Sequence, residues 1–250
     1  MKRMKILNEI EIFNGYPAIF IPKISSLVIS DLQLGYEQYL ASKGIFVPQT
    51  QLKEILKDLK ELIKITKPKK LIINGDLKHE FGKASEQEWK EVRKLTSFLE
   101  KEVKEIILVR GNHDNYLLTI ASHLGLKVYD PIYCQKEFCF THGHKKVDIP
   151  KECKFLIIGH EQPAILLRSG LDRIKIPALI YGKWERINLI CLPSFSPLAS
   201  GVAINAIEKE ELLSPILKEA NLDNFKAIGF DKEVGALKFP EIRKIKVEIE

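Results

Sequence analysis

An alternation of short apolar runs with amphipathic helices constrains the fold of this chain more than any other feature. Residues 48–67 place leucine and isoleucine at intervals of three and four, which predicts a helix with one buried face. A second helix is predicted from Ser85 to about Lys101, because Ser85 and Glu88 have the spacing of a capping box. Five apolar runs have the length and β-branched content of buried strands: 26–30, 71–74, 106–109, 137–141 and 155–158. Strands that alternate with helices favour a layered α/β architecture.

The pattern of the sequence changes after residue 160. Strand-like segments then follow one another without long helices between them, at 164–167, 176–181, 186–192, 226–230 and 235–239. We therefore predict a second sheet, from about residue 164 to 240, that packs on the first. The predicted fold class is α/β, with a core of two sheets forming a β-sandwich flanked by helices. A chain of 250 residues suits one domain with a large core, so residues 1–250 are assigned to a single domain.

Composition and charge exclude several classes of protein. The chain has 39 basic and 33 acidic residues, and its net charge of +6 permits a nucleic-acid partner without requiring one. No run approaches the roughly 18 apolar residues of a membrane span, and Glu9 and Glu11 interrupt any secretory leader, so a cytoplasmic protein with no membrane partner is expected. The abundance of isoleucine, lysine and glutamate resembles the composition of heat-adapted proteins.

Four irregularly spaced cysteines predict reduced thiols rather than a disulfide scaffold.

Polar side chains follow each of the first five predicted strands. In chain order they are Asp31 and Gln33, Asp76, Asn112 to Asp114, His142, and His160 with Gln162. Each of them alone is an ordinary turn former. Loops at the carboxyl ends of strands converge at one edge of an α/β core, so we expect these side chains to meet. Oxygen donors from Asp and Asn together with imidazole nitrogens suit a centre of Mn, Fe, Zn or Co.

Several neighbouring residues have an ordinary explanation beside a functional one. Four of them suit either contact with the substrate and the ligands or an exposed turn: Arg110, Lys78, His79 and His144. Glycines at positions 75, 111, 143 and 159 permit sharp turns and the close approach of a phosphate. The group Cys134, Cys139, His142 and His144 matches no zinc-finger spacing. The sequence contains no GxSxG elbow, Walker A loop or GxGxxG motif.

The order of the five blocks resembles a known family. Asp31, Gly-Asp at 75–76, Gly-Asn-His-Asp at 111–114, His-Gly-His at 142–144 and Gly-His at 159–160 are similar to the motifs of the calcineurin-like metallophosphoesterases. The resemblance extends over about residues 25–200, and segments 75–82 and 192–198 look like the archaeal branch related to SbcD-type repair nucleases. It implies a four-layer αββα fold and hydrolysis of phosphomonoesters or phosphodiesters at a two-metal centre.

The resemblance also implies which residues hold the metal ions. Asp76 would bridge both ions. Asn112, His142 and His160 would complete the second metal site, and Asp31 with two histidines would form the first. Metals considered for these sites are Mn, Fe, Zn, Ni and Mg.

This chain departs from the family pattern at the two histidines of the first metal site. Glutamine stands at both positions, as Gln33 and Gln162. A neutral amide oxygen is a weaker ligand than imidazole for late transition metals, although Mg and Mn accept it. We therefore expect an asymmetric centre, with one tightly held ion and one weakly held ion.

The mechanism implied by the resemblance is in-line attack on phosphorus by a metal-bound hydroxide. His113 would protonate the leaving oxygen, and Asp114 would hold the His113 imidazole in orientation. The implied protein is a phosphodiesterase, a nuclease or a phosphatase, with a phosphoester substrate and nucleic acid among its candidate partners. The alternative is a catalytically degenerate relative, in which Gln33 and Gln162 have ended catalysis and the cleft binds nucleic acid or a protein.

Overall fold

Two β-sheets are formed by the residues that the computed structural model describes, which are 2–82, 85–115, 121–170 and 172–247. The first sheet has seven strands side by side in chain order: β1 (Arg3–Ile6), β2 (Ile10–Phe13), β3 (Ile19–Ile21), β4 (Ser26–Ile29), β5 (Lys70–Asn74), β6 (Glu105–Val109) and β7 (Lys127–Tyr129). Strands β1 to β4 run antiparallel, and β4 to β7 run parallel. The parallel part corresponds to the predicted alternation of strands with helices.

The second sheet has nine strands in the described part of the chain: β8 (Tyr133–Gln135), β9 (Phe138–Phe140), β10 (Phe155–Ile158), β11 (Pro163–Ser169), β12 (Asp172–Trp184), β13 (Ile187–Cys191), β14 (Val202–Ala203), β15 (Lys226–Asp231) and β16 (Gly235–Glu241). Its order is β14-β11-β12-β13-β10-β9-β8, and β15 pairs with β12 and β16. The predicted start of this sheet at residue 164 is wrong, because β8, β9 and β10 belong to it. An apolar run indicates a buried strand but not its partner, and β10 pairs with β9 and β13.

Four α-helices that lie wholly within the described residues flank the sheets: α1 (Tyr36–Ser42), α2 (Gln51–Thr66), α3 (Glu86–Glu102) and α4 (Pro215–Glu219). Helices α2 and α3 cover the outer face of the first sheet, and α4 packs on the outer face of the second. The two predicted helices are confirmed as α2 and α3, and Ser85 forms the expected capping box with Glu88. Every helix in these residues is too short or too polar to cross a lipid bilayer.

Alternate residues of the central strands face different layers. In β4, Leu27 and Ile29 pack with the helices, whereas Val28 faces the second sheet. In β10, Ile157 faces the first sheet and Leu156 faces the outer layer. Because both faces of these strands are buried, their sequences are uniformly apolar rather than alternating. The predicted α/β class, a two-sheet sandwich flanked by helices, is thus confirmed.

The sequence pattern does not indicate five of the short strands: β1, β2, β3, β7 and β8. Each has only three or four residues, which is too short for a period of hydrophobicity to stand out. Strands β1 and β7 also lie at the two edges of their sheet and have exposed charged residues. Charged side chains at a sheet edge discourage pairing with other chains.

A disulfide joins Cys134 and Cys139, so the expectation of reduced thiols is wrong for this pair. Antiparallel pairing of β8 with β9 places the two residues directly opposite each other, a closeness that spacing in the sequence does not reveal. Cys153 and Cys191 are free and buried. With two of its four members joined to each other, the cysteine and histidine group considered above does not form a zinc site.

Asn74 joins the two sheets, and its replacement by alanine should lower stability. The buried amide nitrogen donates to the carbonyls of Thr141 and Ile157, at 3.1 and 3.2 Å, at the ends of β9 and β10. Asn74→Ala leaves the Thr141 carbonyl without this donor and reduces the Ile157 carbonyl to its bond from the Thr141 N–H, so we expect the free energy of unfolding in urea to fall by about 1–3 kcal/mol. Asn188→Ala, which removes an exposed amide bond to the Lys154 carbonyl, is the control and should change it by less than about 0.5 kcal/mol. Equal losses in the two variants would contradict the cross-sheet role.

Candidate metal centre

Loops from both sheets meet at one edge of the sandwich. Asp31, Asp76 and Asn112 follow β4, β5 and β6 of the first sheet, while His142 and His160 follow β9 and β10 of the second. Parallel strands end at the same edge, which brings these loops together. One ligand atom each from Asp76, His142 and His160 lies within 4.8 Å of the other two.

His142 is fully buried and contacts several of the other groups. Its Nε2 is 3.3 Å from Asp76 Oδ2 and 3.1 Å from Asn112 Oδ1. Its Nδ1 lies 3.2 Å from the Asn74 carbonyl, which favours a proton on Nδ1 and leaves Nε2 directed at the carboxylate. A carbonyl that holds one ring nitrogen while the other faces oxygen donors is the usual arrangement of a metal-binding histidine.

Asp31 is fully buried, and protein donors contact both of its carboxylate oxygens. Oδ1 accepts a hydrogen bond from Gln162 Nε2 at 3.2 Å. Oδ2 accepts from the backbone N–H of His160, also at 3.2 Å, and from the hydroxyl of Ser30. The Gln162 side chain therefore binds the carboxylate that was expected to share a metal ion with it.

Five of the seven predicted ligands have left-handed backbone conformations. Their φ angles are +53° for Asp31, +48° for Gln33, +48° for Asp76, +65° for His160 and +50° for Gln162. A left-handed non-glycine residue costs about 1–3 kcal/mol and persists where the surrounding structure enforces it. Gln33 and Gln162 thus share the tight turns that position the acidic and imidazole ligands.

Glycines beside the ligands make room for other protein groups. A Cβ on Gly111 would lie 2.1 Å from Asp76 Oδ1, and one on Gly159 would lie 1.9 Å from Ser30 Oγ. Both positions therefore require glycine because two ligand loops pack directly against each other. At these two positions glycine is needed so that the loops can pack, and not, as expected, so that a phosphate can approach.

Burial and neighbouring charges shift the pKa values of the carboxylates and of the His142 imidazole at the centre. Burial raises the pKa of Asp31 to about 6 and that of Asp114 to about 7, and the nearby Asp76 charge adds to both shifts. Asp76 is also buried, but the charge and hydrogen bond of His142 lower its pKa to about 2. Burial opposes protonation of His142, whereas Asp76 raises its pKa to about 9. Three buried carboxylates around one imidazolium make a site whose negative charge a divalent cation would offset.

Three other imidazoles near the centre, those of His79, His144 and His160, are neutral at pH 7. Burial is the main cause that lowers the pKa of His79, His144 and His160 to about 4, and the charge of a neighbouring histidine adds to it. Neutral imidazole is the form that binds metal ions. His160 is already in this form, and His142 would release its proton to an incoming cation. The carboxylate, amide oxygen and imidazole donors of Asp76, Asn112, His142 and His160 therefore fit a divalent transition metal.

His113 is positioned by a backbone carbonyl, not by Asp114. The Nδ1 atom of His113 contacts the carbonyl of His79, and Nε2 is 3.8 Å from Asp76 Oδ2. The Asp114 carboxylate is buried and accepts hydrogen bonds from the backbone N–H groups of Gly111 and Leu77, at 2.9 and 3.1 Å. The predicted contact between Asp114 and the imidazole is therefore wrong, because the carboxylate turns inward to hold two ligand loops together.

For Lys78 and His79, contact with the substrate and an exposed turn were both open, and the structure shows Lys78 buried and His79 half-buried against aromatic rings. Lys78 is fully buried, and its ammonium donates to the carbonyls of Glu80 and Gly82. The half-buried His79 ring packs between Tyr36 and Tyr39, with ring centroids 4.5 and 4.6 Å away. Both residues shape the loop that follows β5.

Arg110 and His144 border the centre. Arg110 donates to Asp130 at 2.8 Å and to Asn115 at 2.9 Å, so its guanidinium is engaged by protein groups. Lys145 donates to the second Asp130 oxygen at 2.9 Å. The His144 ring lies 5.4 Å from that of His142, centroid to centroid, which places it beside the ligands.

Ser194 and Gln51, which are not among the predicted site residues, hold the Asp31 loop. The Ser194 hydroxyl donates to the Asp31 carbonyl at 2.6 Å. The amide nitrogen of the buried Gln51 donates to the carbonyls of Leu32 and Gln33, at 3.1 and 3.0 Å. Segment 192–198, noted above only for its resemblance, is thus the support behind the first ligand loop.

Comparison with known proteins matches the part of the chain that forms the candidate metal centre. The model of the calcineurin-like phosphoesterase family matches residues 24–195, which include every loop of the centre. The structure resembles that of nuclease MPE from Pseudomonas putida, with a TM-score of 0.66 and 18% identity over 94% of this chain and 99% of that one. The phosphoesterase Yfce from E. coli gives a TM-score of 0.42 and 19% identity over 71% of this chain and 84% of its own. No curated protein sequence matches.

The buried carboxylate of Glu88 should stabilise the loop that positions His113. It accepts hydrogen bonds from the backbone N–H groups of His79, Glu80 and Ser85, at 3.1, 2.8 and 2.6 Å. Glu88→Ala leaves these donors unpaired, so we expect unfolding free energy to fall by about 1–3 kcal/mol and the His79 and Glu80 amides to exchange hydrogen faster.

The matched control is Glu86→Ala in the same helical turn. Its side chain is 81% exposed and pairs with Lys90 at 2.6 Å, so its removal should change stability by less than about 0.5 kcal/mol. Unchanged exchange at residues 79 and 80 in Glu88→Ala would show that the carboxylate does not hold the loop.

Proposed function

The chain belongs to the calcineurin-like phosphoesterase family and is a phosphohydrolase, and we propose that it hydrolyses phosphodiesters, those of nucleic acid included, at an asymmetric metal centre. The observation that supports this most directly is the convergence of Asp76, His142 and His160 within 4.8 Å. The fold similarity to a protein named as a nuclease, over nearly the whole length of both chains, favours the diester over the monoester.

The residues at the centre have two roles, metal ligand and proton donor. Asp76, Asn112, His142 and His160 would hold the tight ion, which when bound lowers the pKa of water and offsets the charge of a phosphate. The contact between His113 Nδ1 and the His79 carbonyl orients the other ring nitrogen. A proton on Nε2, 3.8 Å from Asp76 Oδ2, is then placed to reach the leaving oxygen of a substrate at the centre.

The asymmetry of the proposed centre rests on Asp31. Its two oxygens already accept three hydrogen bonds, from Ser30, the His160 backbone and Gln162. For Gln162 to bind the same ion as Asp31, its amide must release this hydrogen bond and turn its oxygen, a weaker ligand than imidazole, towards the ion. The first metal site is therefore weak, and it is filled only at high concentrations of Mn or Mg or when a substrate supplies further oxygens.

Hydrolysis assays with manganese should separate this function from a binding role. We expect the protein to cleave bis(p-nitrophenyl) phosphate and single-stranded DNA faster than a simple phosphomonoester. His113→Ala should lower turnover by about 10²- to 10⁴-fold while the metal content stays the same, because it removes a proton donor and no ligand. The control is His123→Ala, an exposed histidine outside the centre, which should leave turnover unchanged.

Two outcomes would contradict the proposal. Unchanged turnover in His113→Ala would remove this residue from the mechanism. A folded protein that cleaves none of the three substrates would favour the alternative, a relative that retains the cleft for binding only.

Metal content after dialysis should be one ion per chain. The double variant Gln33→His, Gln162→His should retain two ions, since two imidazoles replace two amides in the first site, and we expect its affinity there to rise at least about 10- to 100-fold. Mass spectrometry of metals in the dialysed proteins checks both values. Two ions that resist dialysis from the unmodified chain would contradict the asymmetric centre.

A further inference from the structure

Phe81 places an exposed aromatic ring directly on the proposed proton donor. The ring centroids of Phe81 and His113 are 3.7 Å apart, and their planes are inclined by 31°. Phe81 is nevertheless 55% exposed. One face of this ring therefore covers the imidazole, while much of the remaining surface is open to solvent at the edge of the centre.

The loop that carries Phe81 is held on both sides of the ring. The buried ammonium of Lys78 donates to the carbonyls of Glu80 and Gly82, the two neighbours of Phe81. The Glu88 carboxylate accepts from the Glu80 N–H at 2.8 Å. Phe81 is thus displayed on a fixed backbone, and a binding surface that is already ordered loses little conformational entropy on binding.

The surface next to this loop combines aromatic rings with one exposed lysine, Lys43. His79, whose ring centroid is 5.5 Å from that of His113, packs against Tyr36 and Tyr39 of α1. The ammonium of Lys43 lies 5.5 Å from the centre of the Tyr39 ring. Single-stranded nucleic acids are bound by such surfaces, on which bases stack on aromatic side chains and lysines attract the phosphates.

We infer that the exposed face of Phe81 is a stacking subsite for the unpaired base of a nucleotide whose phosphoester lies at the metal centre. This inference rests on the proposed function, since it concerns the substrate of the same site. A ligand for this face must present a flat ring and be joined to a phosphoester that reaches His113. A nucleotide has both features, whereas a phosphoserine peptide or a lipid diester lacks the flat ring.

Base stacking predicts a specific change in substrate preference. We compare the kcat/KM for oligothymidylate with that for an abasic oligonucleotide of equal length. In Phe81→Ala and Phe81→Leu we expect the ratio of these two values to fall on the order of tenfold, the usual effect of removing one stacking ring. Phe81→Trp should preserve the ratio. The matched control is Phe46→Ala, which removes a phenylalanine that is 85% exposed and should leave the ratio unchanged.

Fluorescence provides a measurement that does not depend on turnover. The indole of Phe81→Trp should be quenched by saturating oligothymidylate and not by the abasic oligonucleotide, with the unmodified chain titrated in parallel. Quenching without hydrolysis would support the stacking subsite and contradict the proposed hydrolytic function. Hydrolysis with an equal loss on both substrates in Phe81→Ala, or with no change in the ratio, would overturn the subsite and leave the hydrolytic function intact.

Discussion

The burial of three carboxylates at the edge where the two sheets meet is the constraint on which the rest of the structure depends. Asp31, Asp76 and Asp114 are all nearly inaccessible to solvent. An ionised carboxylate in such a place costs several kcal/mol unless hydrogen bonds and opposite charge offset it. Asp31 accepts from the His160 backbone, and Asp114 accepts from Gly111 and Leu77. The same bonds that make the burial tolerable fix the ligand loops relative to one another.

This constraint also explains why the proposed proton donor depends on backbone groups. With Asp114 turned inward, the carbonyl of His79 holds the His113 ring, and the buried side chains of Lys78 and Glu88 hold the loop that supplies this carbonyl. The capping box at the start of α3 therefore contributes to the geometry of the site as well as to the stability of the helix. Stability and positioning come from one set of hydrogen bonds.

Much of the architecture could be predicted because local hydrophobic patterns reflect local burial. Helices α2 and α3, the central strands and the chain positions of the ligand loops follow from residue periodicity and strand ends. Short edge strands have too few residues to show a period, and the partners of β9 and β10 are set by packing between the sheets. The opposition of Cys134 and Cys139 depends in the same way on strand register.

The sequence by itself determined the family, the two-sheet class and the set of polar groups that follow the strands, because these depend on residue types in a fixed order. Only the tertiary structure decided what each group contacts. It placed Gln162 on Asp31, turned Arg110 towards Asp130, buried Lys78 and stacked Phe81 on His113. The physical reason is that hydrogen-bond partners and ring contacts are chosen between segments distant in the chain, where distance and burial set the free energy and no local pattern records them.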